Sequence, residues 1–251
     1  MNEFRHPLGN FKISTLKFIA GFFSTITLLI LGFFFKIEKK KSELIISSSF
    51  YAPWKDDKDF KKIYPYVKNY TLLDTKRLYT LWQMSNMLKN YKGDIIDIGC
   101  LKGGAGMIMS KKNNLGETFL IDTFEGLIES ENYHNKSHFV YKNVNAVKSK
   151  IKNLRLKNTT VLKGKFPIDF NKKFKNKKFK LCHIDVNTYK STSLSFNFLK
   201  KKIVKNGVII FDDYGIYSVF GVKKFVDKIM NKNKDFLFLN NYMGQCILIK
   251  K

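Results

Sequence analysis

From residue 94 onward the chain alternates short apolar runs with stretches whose apolar residues recur at helical spacing. Runs at 94–98, 118–121, 160–162, 180–186 and 208–211 are strand candidates, and 191–203 and 222–230 suit helices. This alternation predicts an α/β fold with a mostly parallel, doubly wound sheet covered on both faces. Residues 236–239 and 245–249 flank a turn and end the chain as a hairpin that can insert antiparallel. Upstream, Leu72, Leu73, Leu78, Leu81, Trp82, Met84 and Leu88 recur at mixed spacings of three and four, with Thr71 or Asp74 as a cap. Residues 71–90 therefore read as an amphipathic helix packed on the rest.

The pattern changes nearer the N-terminus. Residues 18–35 carry no charge and are bracketed by Lys17 and Lys36. As a helix they would span about 27 Å, close to one hydrocarbon thickness. The residues before Lys36 offer no small-residue cleavage site, so an uncleaved transmembrane helix is expected rather than a secretory signal. A buried core helix is the competing reading, because the run is short for a span. Lys36, Lys39, Lys40 and Lys41 follow it, against Arg5, Lys12 and Lys17 before it. The positive-inside rule then puts the remainder of the chain in the cytoplasm. Residues 42–70 are aromatic and lysine-rich, interrupted by Pro53 and Pro65, and read as a linker or a lid over a site. The expected organisation is an anchor with flanks (1–41), a linker or lid (42–70) and one domain (71–251).

Lys and Arg total 46 against 20 acids, a net charge of +26, yet only Arg5, Arg77 and Arg155 are arginine. Readers of bases and phosphates favour the bidentate guanidinium, so the charge reads first as general Lys/Asn/Ile/Phe compositional drift, with attraction to anionic lipid second and nucleic acid third and not an expected partner. Cys100, Cys182 and Cys246 lie in or beside apolar runs without a C-x-x-C pair, as buried thiols of a reducing compartment would. His134 and His138 stand four apart in a polar context with no helical stripe, which suits a loop better than a metal pair.

The candidate chemistry falls at the strand ends, where open α/β sheets bind ligands. Asp185 follows one apolar run, and Asp212 and Asp213 follow the next. Three carboxylates so placed can hold one hard cation such as Mg²⁺. The first strand runs into Gly99-Cys100-Leu101-Lys102-Gly103-Gly104, a turn whose glycines permit close backbone approach to a ligand or serve only as a tight turn. Ala105 after Gly104 disfavours a Walker loop. Asp122 ends the second strand, about twenty residues beyond Gly99, where a carboxylate can accept from ribose hydroxyls or form a turn.

Four segments in order carry a resemblance: Gly93 to Gly99 with Lys102-Gly103-Gly104; Asp122-Thr123-Phe124-Glu125-Gly126; His183-Ile184-Asp185-Val186; and Asp212-Asp213-Tyr214-Gly215. They resemble the macrocin O-methyltransferase-like family, S-adenosylmethionine- and Mg²⁺-dependent enzymes that methylate sugar hydroxyls, over roughly residue 71 to the C-terminus. The resemblance implies that Asp97 and the turn from Gly99 through Lys102 to Gly103 and Gly104 line the methionine part of S-adenosylmethionine. It further implies that Asp122 holds the ribose, that Phe124 and Glu125 lie near the adenine, and that Asp185, Asp212 and Asp213 bind Mg²⁺. The expected acceptor is a sugar or glycan; self-association stays open.

The chain departs from that pattern at Asn187, where the family carries the aspartate that acts as general base, and Lys190 stands where an acid is common. An amide takes no proton at neutral pH. Three accounts follow: a metal-lowered acceptor pKa with water or His183 completing the transfer, an intrinsically acidic acceptor, or a catalytically silent cofactor-binding module.

Overall fold

A computed structural model of the chain describes residues 19, 21–27, 29–30, 51–131, 134–216 and 218–251. It divides into two units, Met1–Tyr51 and Ala52–Lys251. In the first, residues 19, 21–27 and 29–30 are helical, with Phe22, Phe23, Leu29 and Ile30 exposed. Much of the expected anchor at 18–35 lies outside the described residues, as do 42–50 of the expected linker. Among the described residues no helix is long and apolar enough to cross a membrane.

The second unit holds a seven-stranded sheet of order β3-β2-β1-β4-β5-β7-β6. Its strands are β1 (Asp94–Ile98), β2 (Thr118–Asp122), β3 (Thr159–Lys163), β4 (Phe179–Ile184), β5 (Ile203–Phe211), β6 (Phe236–Asn240) and β7 (Cys246–Lys250). The first five pair in parallel, and β7 inserts antiparallel between β5 and β6, as the terminal hairpin predicted. Alternating side chains feed two cores, as period-two geometry requires. Ile95, Leu181, Val208 and Ile210 face helices α1 (Lys58–Val67), α2 (Thr75–Met87), α3 (Gly104–Ser110) and α4 (Val144–Asn153). Ile96, Cys182, Ile209 and Phe211 face α5 (Tyr189–Leu199) and α6 (Phe220–Met230). Cys100, Cys182 and Cys246 are free and buried, as their apolar settings implied.

Helix α2 starts at Asp74 rather than Thr71, because the Asp74 carboxylate accepts from Lys76 N at 2.8 Å and Arg77 N at 3.1 Å. Upstream of it, residues expected to form a linker or lid are instead part of the core. Phe60, Ile63 and Val67 of α1 are buried. Pro65 stands inside α1 but so close to its C-terminal end that the missing N–H removes only a bond of the last turn. Phe60 stacks on Tyr64 at 5.2 Å and meets Tyr79 and Trp82 edge-on at 5.1 and 5.8 Å. Asp57 caps α1 and accepts from Trp82 Nε1 at 2.7 Å, fastening it to α2.

Truncating a ring packed this way leaves a cavity as well as losing burial, so Phe60→Ala should cost about 3–5 kcal/mol. Urea unfolding of the full chain measures it, and a loss below about 1 kcal/mol would show that α1 is peripheral.

Candidate active site

The strand order reverses between β1 and β4, so the carboxyl ends of those strands open a crevice at the switch point. A cavity of about 240 Å³ lies there, reached by Gly99, Asp122, Asp185, Asn187 and Asp213 from the strand ends and by Arg77 from α2. The backbone is strained around it. Leu101, Phe124, Asn187 and Asp213 follow β1, β2, β4 and β5 with φ of 48°, 57°, 59° and 60°. Non-glycine residues held left-handed need a surrounding structure that over-determines them, and such strain gathers at functional sites.

Parallel register sets the buried centre. Asp97 on β1 pairs with His183 on β4, so their side chains share one face, and His183 Nδ1 lies 2.7 Å from Asp97 Oδ1. His183 Nε2 points toward Asp212 Oδ1 at 3.7 Å, beyond hydrogen-bond length. Burial alone would lower the imidazole pKa, but Asp212 and Asp97 outweigh it and push it up to about 10. The flanking carboxylates favour the charged form of His183, which is fully buried and away from the cavity lining. It has no contact with the cavity through which it could take the acceptor's proton.

The three acidic tips do not share one open shell. Asp212 Oδ1 accepts from Gln245 Nε2 at 2.7 Å, and its Oδ2 accepts from Arg77 Nη1. Asp213 Oδ1 accepts from the same Nη1 at 3.1 Å, while its Oδ2 accepts from Asn187 Nδ2 at 2.7 Å. Possible ligand atoms of His183, Asp185 and Asp212 lie within 4.8 Å of one another; Asp213 is outside that group. Each Asp212 oxygen already accepts one hydrogen bond, and the Arg77 guanidinium sits against Asp212 Oδ2 and Asp213 Oδ1, where a second cation would meet a like charge. Mg²⁺ therefore does not fit the donor set as arranged. Arg77 is held well above its usual pKa: burial opposes its charge, but Asp212, Asp213 and Asp185 override that. Asp185 accepts no hydrogen bond from the described residues; burial, then the neighbouring Asp212 and Asp213, raise its pKa above the ordinary aspartate value.

The glycine turn is fixed by packing as much as by ligand access. Gly99 has φ 86°, and a Cβ there would sit 1.8 Å from the Asp185 carbonyl oxygen, so the ends of β1 and β4 meet only without a side chain. Gly103 and Gly104 pack against neighbouring elements and, like Asp97 and Lys102, do not line the cavity. Asp122 does line it; its Oδ2 accepts from Leu101 N at 2.8 Å and its Oδ1 from Phe124 N at 2.7 Å. It is both a turn former and a cavity carboxylate, with lone pairs to spare. Phe124 is buried in the core, and Glu125 points outward to Lys163 Nζ at 2.6 Å.

Two cavity residues escaped the sequence. His134, read as part of a polar loop, lies in a loop but lines the cavity with both ring nitrogens unpartnered. Burial lowers its pKa. Arg77 had one signal, its rarity in a chain of lysines.

Comparison with known proteins resolves what this arrangement belongs to. The family model for macrocin-O-methyltransferase (TylF) matches residues 29–241. The chain belongs to that family. The match begins well upstream of residue 71, reaching into the apolar run and the segment that carries α1. No curated protein matches in sequence. Among solved structures, the O-methyltransferase NovP is 18% identical with a TM-score of 0.59, covering 72% of this chain and 82% of NovP. The calicheamicin methyltransferase CalS11 is 11% identical with a TM-score of 0.62, covering 80% and 87%. An O-methyltransferase from Bacillus cereus, solved in complex with SAH, is 17% identical with a TM-score of 0.52, covering 73% and 86%. At these identities the likeness establishes the fold, that of a Rossmann-like methyltransferase.

The Asp97–His183–Asp212 arrangement makes a pH prediction. A folded pKa of about 10 against an ordinary 6.5 means the contribution is complete below pH 6.5 and is lost as pH rises through 10. His183→Gln should cost about 3–5 kcal/mol near neutrality, since it strands buried carboxylates. Thermal melts of both proteins across pH should show the gap narrowing toward pH 10; a constant gap would mean His183 is neutral in the fold.

Proposed function

We propose that this family member is an S-adenosylmethionine-dependent O-methyltransferase acting on a hydroxyl of a sugar or glycan. The observation that carries the reading is one cavity that brings the Gly99–Leu101 turn and Asp122 together with the unpaired Asp185 carboxylate. The Gly99–Leu101 backbone and Asp122 would hold the cofactor, Asp122 by accepting from its hydroxyls. When bound, the cofactor supplies an electrophilic methyl group on a sulfonium. Phe124 and Glu125 are left out of the cofactor contacts because neither lines the cavity.

The acceptor oxygen must lose its proton as it gains the methyl. Asn187 donates to Asp213 and cannot take that proton. Asp185 can: its oxygens carry no donor among the described residues, it faces the cavity, and its raised pKa brings it toward the range where a base is effective. The acceptor's proton would pass to Asp185 as its oxygen takes the methyl group and the methyl–sulfur bond breaks, leaving S-adenosylhomocysteine. The Mg²⁺ expected from the sequence has no part in this reading. Asn187 also keeps alive a second reading, a silent module that binds cofactor without turning over.

The two readings separate in one assay, S-adenosylhomocysteine formation against a panel of sugar acceptors, with cofactor binding followed by calorimetry. Native protein should turn over, Asp185→Asn should lower the rate about 10²- to 10⁴-fold without weakening cofactor binding, and Asp122→Ala should weaken binding several-fold. Activity should rise with pH, with its acid limb above the ordinary aspartate value near 4. Binding without product from the native chain would select the silent module.

We further propose that the segment around residues 18–35 anchors the protein in a membrane with the methyltransferase unit on the cytoplasmic side. The uncharged run, its exposed apolar helical residues and the lysines after it support this. Full-length protein should sediment with membranes and resist carbonate extraction; recovery in the soluble fraction would remove the anchor.

A further inference from the structure

Arg77 stands where a divalent ion would have to be. Its side chain is 14% exposed and reaches Asp212, whose side chain is fully buried, and Asp213 through the same Nη1. The head group is not free to swing away, because Nε is held by Asp74 Oδ2 at 3.0 Å, and Asp74 is itself the cap of α2. Between them, Arg77, Gln245 and Asn187 occupy both oxygens of Asp212 and both of Asp213. A hard ion takes carboxylate oxygens at about 2.0–2.1 Å in near-octahedral geometry. At Asp212 Oδ2 and Asp213 Oδ1 it would have to share the oxygens with a like-charged guanidinium.

The residue types agree with that picture. Nη1 meets two carboxylates while Nε holds a third, a spread of donors that lysine's ammonium reproduces only in charge, and this chain keeps an arginine at that point while spelling nearly all its other cations as lysine. Asn187 fits the same electrostatics. A carboxylate there would face Asp213 Oδ2 at hydrogen-bond distance and add a charge; the amide instead donates and lowers the demand for a cation.

We infer that Arg77 is the resident cation of this site, positioning Asp212 and Asp213 in place of a divalent metal, so that the protein does not require Mg²⁺. The inference deepens the proposed methyl transfer but is tested without it. Arg77 acts through the two aspartates and is a positioning residue.

The probe is Mn²⁺ alone, added to the full chain and followed by electron paramagnetic resonance of the free ion, with thermal melting in parallel. Native protein should show no saturable binding in the micromolar range and no rise in melting temperature with Mn²⁺. Arg77→Gln should gain a saturable site at least about tenfold tighter than any native binding, a difference of about 1.4 kcal/mol, and should be stabilised by the ion. Adding Asp212→Asn to it should remove that site. Arg77→Lys, which keeps a positive charge at the same place, should melt above Arg77→Gln and stay close to native in Mn²⁺ binding. Saturable micromolar binding by native protein that Asp212→Asn abolishes would overturn the inference, and so would a folded Arg77→Gln that gains nothing. If Arg77→Gln fails to fold, the native titration and Arg77→Lys still decide. None of these readouts depends on turnover, so failure of the methyltransferase reading would leave them intact.

Discussion

The site depends on placing several charges in a space from which water is largely excluded. Asp97, His183 and Asp212 are fully buried, and isolated ions in such a place would be untenable. They are tolerated because parallel register sets a carboxylate beside the imidazole on neighbouring strands and because Asp212 meets Arg77 and Gln245 at its two oxygens. The consequence is a set of strand ends whose side chains cannot rearrange singly. Moving one partner leaves another buried and unpaired.

That constraint shapes the cavity above. With Asp212 and Asp213 engaged, Asp185 joins Asp122 as a strand-end carboxylate free to meet a ligand, and the backbone around it is held in left-handed conformations at Asn187 and Asp213. Gly99 brings the ends of β1 and β4 together tightly enough that the turn and Asp185 share one opening. The sheet thus fixes the strand-end side of the site in advance, which suits chemistry that relies on positioning and electrostatics.

The segment before the sheet takes part in the same structure. Helix α1 packs its apolar face against α2 and α3, and the carbonyl oxygens of Val67 and Tyr70 come close to Gly104 at the start of α3. Helix α2 then delivers Arg77 from its first turn, so the N-terminal helices also deliver a charged group to the active site. The family match extending upstream through these residues agrees with their structural role.

The sequence alone determined the alternating elements, the parallel sheet with its antiparallel hairpin, and the gathering of Gly99, Asp122, Asp185, Asp212 and Asp213 at strand ends, because periodicity and strand-to-turn punctuation are local signals. The family was legible for the same reason, in four short motifs kept in order. Tertiary structure alone decided what the charges do. Arg77 lies 135 residues from Asp212, and no local pattern says that its guanidinium will cross to β5. Likewise, that His183 is buried between Asp97 and Asp212, away from the cavity, follows from which residues flank it across the sheet, and that Asp122 forms its turn while facing the cavity follows from where Leu101 and Phe124 present their amides. Residue type names the chemistry a side chain can perform; burial and partners select which of those it performs.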